Sequence, residues 1–359
     1  MKLLRTIVSS LPPVGLLVLQ LSCGGADTSG PGGGGVAKTI APNSATTQTA
    51  APETQVAALP SVLVSDGSGA PMTGVPVTFT VTTGGGSVTG GSATTNSAGI
   101  ATVGSWTLGA APEGNTLSAT TGTLTAIKFT ACGTAIHALG STVDSQLSLT
   151  DCQLSDGTFI DFYTVTVPTT GTYIFSQTSG VFDTYLGVFT AGAVVIGVND
   201  DFGAVGITDS RVKVIVPAGT YIVGANSFDA NAIGTYSLAS AASATPVTNC
   251  EDVFVLPGIT SPQALETTDC ANIGFYSDNY VIFLTTGQSI TVSMTSSVVD
   301  SYLEIRRDGS TAVLAANDNI DATTKNAQFT YTAPASGFYI ILAASVVAGA
   351  TGDYTFDIH

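Results

Sequence analysis

The chain has 359 residues, which is too long for one β-sandwich of about 100 residues and fits two or three such domains. Charged residues make up 9% of the chain, the formal net charge is −16, and the 9 Lys and Arg residues form no cluster that would bind a phosphate backbone. This composition excludes nucleic acid as a partner, and the abundance of Val, Thr, Tyr and Phe between Gly-rich and Asn-Asp turns predicts an all-β fold.

The first 38 residues predict export from the cytoplasm. Two basic residues precede an apolar stretch at residues 14–19, which is shorter than the roughly 20 residues of a membrane span. We therefore interpret residues 1–22 as a signal peptide and residues 23–38, rich in Gly and Ser, as a flexible tether. The sequence contains no later apolar segment long enough to span a membrane, so we expect the mature chain to lie outside the cytoplasm.

Cys23 stands where the signal peptide meets the tether. A small residue before a cysteine, followed by a flexible run, resembles the lipobox of bacterial lipoproteins. The resemblance implies a lipid on Cys23 that anchors the protein at the bacterial cell envelope or surface, with the membrane as a partner. Gln20 and Leu21 depart from the lipobox pattern. The alternative is an ordinary signal peptide followed by an unrelated thiol.

Residues 39–131 form a separate segment. Apolar side chains occupy alternate positions in residues 75–81, as in a strand with one buried face, and Gly-rich turns follow. The ordered motifs Gly-Val-Pro-Val-x-Phe, Gly-Gly-Gly and Trp-Thr-Leu-Gly resemble the bacterial Ig-like domain of the invasin and intimin type. The resemblance implies a β-sandwich that acts as a spacer, and we expect Trp106 of the last motif in its core.

The last two thirds of the chain contain an internal repeat with a shift of about 118 residues. The matched segments are 150–152 with 268–270, 183–186 with 300–303, 199–201 with 317–319, and 219–222 with 337–340. In the first copy, apolar residues at 212, 214 and 216 alternate with Arg211 and Lys213, which predicts a strand with one buried face. The repeat therefore predicts two copies of one β domain.

The motifs Asp-x-Tyr, Asp-Thr-Tyr-Leu, Asn-Asp-Asp and Pro-Ala-Gly-Thr-Tyr of the first copy resemble the bacterial pre-peptidase C-terminal domain, and the second copy follows the pattern more loosely. The resemblance implies two jelly-roll-like sandwiches, at residues 132–246 and 247–359. In that family the domain is usually appended to a secreted protease, whereas the Ig-like segment precedes it here. We thus predict an all-β chain of three tandem β-sandwich domains, one Ig-like and two jelly-roll-like, after the signal peptide and tether.

The cysteine positions follow the repeat. An exported chain with 5 cysteines leaves one unpaired. Cys132 and Cys152 in the first copy have the same spacing as Cys250 and Cys270 in the second. We predict the disulfides Cys132–Cys152 and Cys250–Cys270, which leaves Cys23 for the lipid.

The sequence offers little for catalysis. A hydrolase needs a histidine or an equivalent base near its nucleophile, and the chain has 2 histidines, His137 and the terminal His359. We predict that both are structural, that the protein is not an enzyme and that it uses no small-molecule cofactor. A glycosidase needs only two carboxylates, so the acidic turns leave that alternative open. The tyrosines at apolar strand positions, expected in core or corner positions, are Tyr163, Tyr173, Tyr185, Tyr221 and Tyr236.

Acidic turns in both copies make calcium the candidate cofactor. The predicted ligands are Asp183, Asn199, Asp200 and Asp201 in the first copy and Asp300, Asn317, Asp318 and Asp321 in the second. Calcium takes about six to eight oxygen ligands, and carboxylates crowded into one loop would otherwise repel one another. The alternative is that Asn and Asp fill tight turns because their side chains bond the nearby backbone.

We therefore expect a non-catalytic, lipid-anchored surface protein with an Ig-like spacer and two sandwich modules that bind a polysaccharide or protein ligand and serve adhesion. One alternative is a structural spacer without a specific ligand. Another is a secretion or targeting accessory of a separate secreted protease.

Overall fold

The structure, a computed structural model, describes residues 36–111, 113–202, 208–243, 251–272, 274–321 and 323–359. These residues form strands and turns, which confirms the predicted all-β class of tandem sandwiches. Within the described ranges, no helix is long and apolar enough to cross a membrane. The chain divides into two compact units, one with residues up to 135 and 148–162, the other with residues 136–147 and 163–359.

The first unit contains most of the segment with the Ig-like motifs. Its strands are β1 (Thr39–Pro42), β2 (Thr47–Ala50), β3 (Ser61–Ser65), β4 (Pro76–Thr83), β5 (Ser87–Thr89), β6 (Ser92–Thr94), β7 (Ile100–Thr102), β8 (Ser105–Thr107), β9 (Gly114–Thr120) and β10 (Ile127–Ile136). One sheet has the order β1-β3-β7, another continues β6-β4-β9-β10 with β2 parallel to β10, and β5 pairs with β8. Trp106 is buried among the apolar side chains that these strands share, which confirms its predicted core position.

The first copy of the repeat occupies the next part of the chain. Its strands are β11 (Thr142–Leu147), β12 (Cys152–Gln153), β13 (Phe159–Val167), β14 (Gly171–Thr178), β15 (Thr184–Thr190), β16 (Val195–Asn199), β17 (Ser210–Val216), β18 (Gly219–Ser227) and β19 (Gly234–Ser243). The strands other than β12 form the sheet β11-β19-β14-β17 and the sheet β16-β15-β18-β13, and β12 pairs with β13. Strand β12 and the start of β13, up to Phe162, belong to the first compact unit.

The second copy repeats this arrangement. Its strands are β20 (Val253–Val255), β21 (Ile259–Leu265), β22 (Cys270–Asn272), β23 (Phe275–Leu284), β24 (Ser289–Thr295), β25 (Ser301–Arg307), β26 (Val313–Asn317), β27 (Ala327–Thr332), β28 (Gly337–Ser345) and β29 (Gly352–Ile358). The sheet β21-β29-β24-β27 corresponds to the first of the two sheets above, and β26-β25-β28-β23 corresponds to the second. The second copy and most of the first lie in the second compact unit. The three domain boundaries proposed from the sequence stay predictions.

Buried tyrosines hold the same positions in both copies. The Tyr221 hydroxyl donates to the Pro217 carbonyl oxygen at 2.8 Å, and that of Tyr339 donates to the Ala335 carbonyl oxygen at 2.7 Å. Each bond joins a strand to the turn four residues earlier, so the hydroxyl has a partner while the ring fills the core. All five tyrosines that the sequence placed in the core or at corners are buried.

The short strand β20 joins the two copies. It pairs in parallel with β17 of the first copy, Val214 opposite Phe254, and in parallel with β23 of the second, Val253 opposite Tyr280. One continuous sheet therefore runs through both copies. Ile215 of β17 belongs to the apolar cluster that forms the core of the second copy.

The expectation that β17 has one buried face is wrong. Lys213 and Ile215 are as well buried as the valines between them. The reason is that the second copy covers the face of β17 that would otherwise meet solvent. Glu251, just before β20, supplies the charge that this burial requires: its carboxylate lies 3.6 Å from Lys213 Nζ and 3.4 Å from Arg211 Nε.

Candidate functional site: the acidic loop end of the first copy

One end of the first copy gathers four aspartates. Asp183 immediately precedes β15, whereas Asp200 and Asp201 follow β16 and Asp229 follows β18. Because β15 lies between β16 and β18 and is antiparallel to both, its first residue meets their last residues. We call these four side chains the acidic loop end. Three of them are predicted calcium ligands, and the fold brings them together.

Asp183 is at the centre of this group. Its Oδ1 atom is buried, and no hydrogen-bond partner lies within reach in the described structure. Burial raises the pKa of its carboxyl, and repulsion from Asp201, Asp200 and Asp229 raises it further. The acidic loop end therefore carries charge that a bound cation would stabilise.

Sequence reasoning missed Asp229. It lies outside the acidic turns that the repeat drew attention to, because the second copy has Val347 at the corresponding place. The β15–β18 pairing places Asp183 beside this turn, and the Phe228 N–H donates to the Asp183 carbonyl oxygen at 2.8 Å. Knowledge of that pairing would have identified Asp229.

Asn199, another predicted calcium ligand, has a structural use for its amide. Its Oδ1 accepts the Arg211 N–H at 2.9 Å and its Nδ2 donates to the Asp201 carbonyl oxygen at 3.1 Å. In the second copy, the Asn317 Oδ1 accepts the Gln328 N–H at 3.1 Å in the same way. Both asparagines thus tie the end of one strand to the next strand of the opposite sheet.

The second copy does not reproduce the acidic loop end. Asp300, which corresponds to Asp183, forms an ion pair with Lys325, whose Nζ lies 3.2 Å from Oδ2. Asp321 closes a turn by accepting hydrogen bonds from the Thr323 hydroxyl at 2.6 Å and from the Thr323 N–H at 2.7 Å, and these bonds lower the pKa of its exposed carboxyl. Asp318 is exposed beside Asn317. Lys325 therefore neutralises part of the negative charge at this end of the second copy.

The acidic loop end is not a preformed metal site. Nowhere in the described ranges do three or more His, Cys, Asp or Glu side chains converge as metal ligands. The donor set of carboxylates and turn carbonyls has the chemistry that calcium prefers, but the carboxylates would have to turn toward one another to share an ion. Calcium binding therefore stays a proposal.

The most perturbed acid lies elsewhere, in the core of the second copy. Asp278 of β23 is fully buried and accepts a hydrogen bond from the Tyr354 hydroxyl at 2.5 Å. Burial, with repulsion from Asp269 and Glu266, raises the pKa of Asp278 to about 8. The group is enclosed by packed strands, and we assign it a structural role.

Both histidines occupy structural positions. His137 is buried directly after β10, its Nε2 lies 2.9 Å from Ser240 Oγ, and its ring meets the edge of Tyr163. Burial lowers the pKa of His137 and so favours the neutral ring. His359 pairs with Asp357, Nε2 to Oδ2 at 2.7 Å. The contact between His137 and Ser240 is enclosed in the fold, since both side chains are buried.

The cysteines follow the predicted pairing as far as the structure describes them. Cys132 and Cys152 form a disulfide with their Cα atoms 5.6 Å apart, which joins β10 to β12 in the first unit. Cys270 is disulfide-bonded as well. Its predicted partner Cys250 and the predicted lipid-bearing Cys23 lie outside the described residues.

No protein-family model and no curated protein matches the sequence. Solved structures with similarity include the pre-peptidase C-terminal domain of a Bacillus anthracis collagenase, at 12% identity and a TM-score of 0.24 over 33% of this chain and 99% of that one. The periplasmic g-type lysozyme inhibitor PliG of Aeromonas hydrophila has 17% identity and a TM-score of 0.23, over 32% of this chain and 100% of its own. Tripeptidyl peptidase 2 has 12% identity and a TM-score of 0.32, over 89% and 33%.

The first of these is a domain of the kind that the sequence motifs resemble. All three similarities are distant, and we transfer no function from them. They do not bear on the Ig-like resemblance or on the lipid anchor, which stay predictions.

Proposed function

We propose that the protein is a non-catalytic lipoprotein of the bacterial cell surface, in which an Ig-like spacer presents two pre-peptidase C-terminal-like β-sandwich modules for binding and adhesion. The observation that carries the proposal is the contrast between the copies. They share a buried framework of strands and tyrosines and differ in the loops at one end. Rigid sandwiches with differing loops are a common basis for recognition, because loops can vary without loss of the core.

The acidic loop end of the first copy is the proposed binding surface. Its four aspartates repel one another, and Asp183 has a buried oxygen without a hydrogen-bond partner among the residues that the structure describes. A calcium ion would relieve this repulsion and offer open coordination positions to a ligand. The proposed ligand is a polysaccharide or a protein, since hydroxyl, carboxylate and carbonyl oxygens would complete the coordination of the ion.

Thermal unfolding with and without calcium tests this surface. A cation that binds only the folded protein raises the melting temperature as its concentration rises. We expect the melting temperature to rise with calcium, to return to its starting value with chelator, and to stop responding in the Asp200→Ala variant. Asp318→Ala is the matched control, because it lies at the corresponding turn of the copy in which Lys325 compensates Asp300. A wild-type melting curve indifferent to calcium and chelator would leave these aspartates as turn formers.

Retention on glycan and envelope-protein arrays tests the binding role. We expect retention that requires calcium and is lost in Asp200→Ala. The alternatives predict other results: a structural spacer is retained on no array, and an accessory of a separate secreted protease co-purifies with that protease from the native envelope.

A further inference from the structure

The surface through which the first copy contacts the second has an equivalent on the second copy, and there this surface is exposed. In the first copy, β16 and β17 pack against β20 and β23 of the second. Val195 and Ile196 of β16 are 5% and 1% exposed. The corresponding Val313 and Leu314 of β26 are 50% and 44% exposed. Apolar side chains that the first copy buries are therefore open to solvent on the second.

The correspondence of these positions follows from the strand registers. Val188 faces Gly197 and Phe189 faces Val195 across a bulge in the first copy. In the second copy, Ile305 faces Ala315 and Arg306 faces Val313 across a bulge at the same place. Positions 195 and 313 are therefore equivalent, as are 197 and 315.

Strand β20, which packs against this surface on the first copy, also has an exposed equivalent in the chain. Phe254 of β20 packs against Gly197, where an added Cβ atom would lie 2.4 Å from the aromatic ring. The residue at the place of Phe254 in the first copy is Ile136, which is 89% exposed. The N–H of the next residue, His137, donates to the Thr164 carbonyl oxygen at 3.0 Å, so this segment runs beside β13 as β20 runs beside β23.

The two exposed surfaces differ in side-chain size from the surfaces in contact within the chain, and the two differences offset each other. Within the chain a large ring, Phe254, meets a residue without a side chain, Gly197. The corresponding pair is Ile136 with Ala315, a smaller residue facing a larger one. The combined volume is similar, which is the kind of exchange that packed contacts tolerate best.

The three charged residues that pair in the contact within the chain are replaced by neutral residues at the corresponding positions. The contact within the chain pairs Glu251 with Arg211 and Lys213. At the corresponding places, Gly133 stands for Glu251, and Gln328 and Thr330 stand for the two basic residues. A charge retained on one side alone would be buried without a partner and would oppose association. On the receiving surface Arg306 lies opposite Val313, and its charge is paired with Glu304, Nε to Oε1 at 3.1 Å.

We infer that the exposed β26–β27 surface of the second copy docks the Ile136 segment of another molecule of this protein, so that molecules associate head to tail. The contact repeats between molecules the arrangement that β20 makes within one. In the described sheet, β27 pairs with β24 alone, so its other side can accept a strand as β17 accepts β20. Such an interface joins two different surfaces, and it extends into chains unless geometry closes it into a ring. One short strand makes a small interface, so association needs high protein concentration.

Analytical ultracentrifugation of the purified chain over a concentration series tests this inference. All runs contain chelator, so calcium bridging through the acidic loop end contributes nothing and the result is independent of the proposed function. We expect the wild-type average mass to rise with concentration. The variants Ile136→Asp and Val313→Asp should each remain monomeric, because a charge would be buried in the contact. Leu314→Asp is a second variant of the receiving surface.

A mixture of the two variants separates this contact from a symmetric one. Ile136→Asp keeps its receiving surface and Val313→Asp keeps its Ile136 segment, so an equimolar mixture forms one contact and stops at the dimer mass. Val347→Asp is the matched control, since Val347 is 51% exposed on the same copy but lies at the end of β26 remote from Val313, and it should associate like the wild type. A wild type that stays monomeric throughout, variants that associate unchanged, or a mixture that stays monomeric would each overturn the inference.

Discussion

The hydroxyl oxygens of Tyr280 and Tyr354 lie 2.6 Å apart in the core of the second copy. The Tyr354 hydroxyl also donates to the buried carboxyl of Asp278. In the first copy, Tyr163 and Tyr236 form the same 2.6 Å pair. The second copy thus places a titratable acid at the end of a buried chain of hydroxyls, and its stability must depend on pH.

The pKa of about 8 at Asp278 sets the direction of that dependence. The native state holds the Asp278 proton up to about pH 8, whereas the unfolded chain releases it near the ordinary aspartate pKa of about 4. The free energy of unfolding should therefore fall as pH rises from about 4 to 8, by at most about 1.4 kcal/mol per pH unit, and level off above. Asp278→Asn should remove this slope, as measured by denaturant unfolding at several pH values. Asp321→Asn should keep it, because the Asp321 pKa is lowered and lies outside this window.

We predict that a single substitution in the Lys213–Glu251 pair lowers the free energy of unfolding substantially. Glu251→Gln removes the negative charge and leaves the buried Lys213 ammonium without compensation. We expect the free energy of unfolding to fall by roughly 3 kcal/mol. Lys325→Gln breaks the exposed pair with Asp300 and should cost at most about 1 kcal/mol. Equal losses in the two variants, measured by denaturant unfolding, would contradict the buried role of Lys213.

The Cys132–Cys152 disulfide closes a loop with a sequence separation of 20 residues. Replacement of both cysteines by serine should lower the free energy of unfolding by roughly 3 kcal/mol, since the unfolded chain regains the loop's freedom. Mass spectrometry of the unreduced protein should recover peptides linked Cys132–Cys152 and Cys250–Cys270. Recovery of peptides linked between the copies would refute the pairing.

The lipid anchor depends on Cys23. Cells that express the wild type should incorporate labelled palmitate into the protein, and Cys23→Ser should lose the label and move from the membrane fraction to the soluble fraction. Cys132→Ser is the control, because its sulfur is committed to a disulfide. A Cys23→Ser protein that keeps both label and membrane association would place the anchor elsewhere.

Much of the architecture is predictable because it repeats or alternates along the chain. The matched segments reveal two copies, and equal cysteine spacings indicate the Cys132–Cys152 bond that the structure contains. The buried tyrosines at 173 and 221 follow from alternation within single strands. Each of these features depends on residues that are close together in the sequence, or occurs in both copies of the repeat.

The contact between the copies was not predictable in this way. Lys213 and Ile215 alternate with valines as an exposed face would, and their burial depends on Glu251 and β20, which come much later in the chain. The acidic loop end was predicted in part, because Asp183, Asp200 and Asp201 lie in repeated motifs. Asp229 joins them only through the pairing of β15 with β18. The compensation of Asp300 by Lys325 also depends on distant loops that meet in the folded chain.

The position of Ile215 has an evolutionary consequence. A duplicated gene segment is usually free to be lost, shuffled or copied again by itself. Here the core of the second copy includes a side chain encoded in the first. A gene fragment that begins at the second copy would encode a domain whose apolar core lacks the contact with Ile215. Selection on the second copy therefore acts on codon 215 as well, and recombination that separates the two halves is penalised.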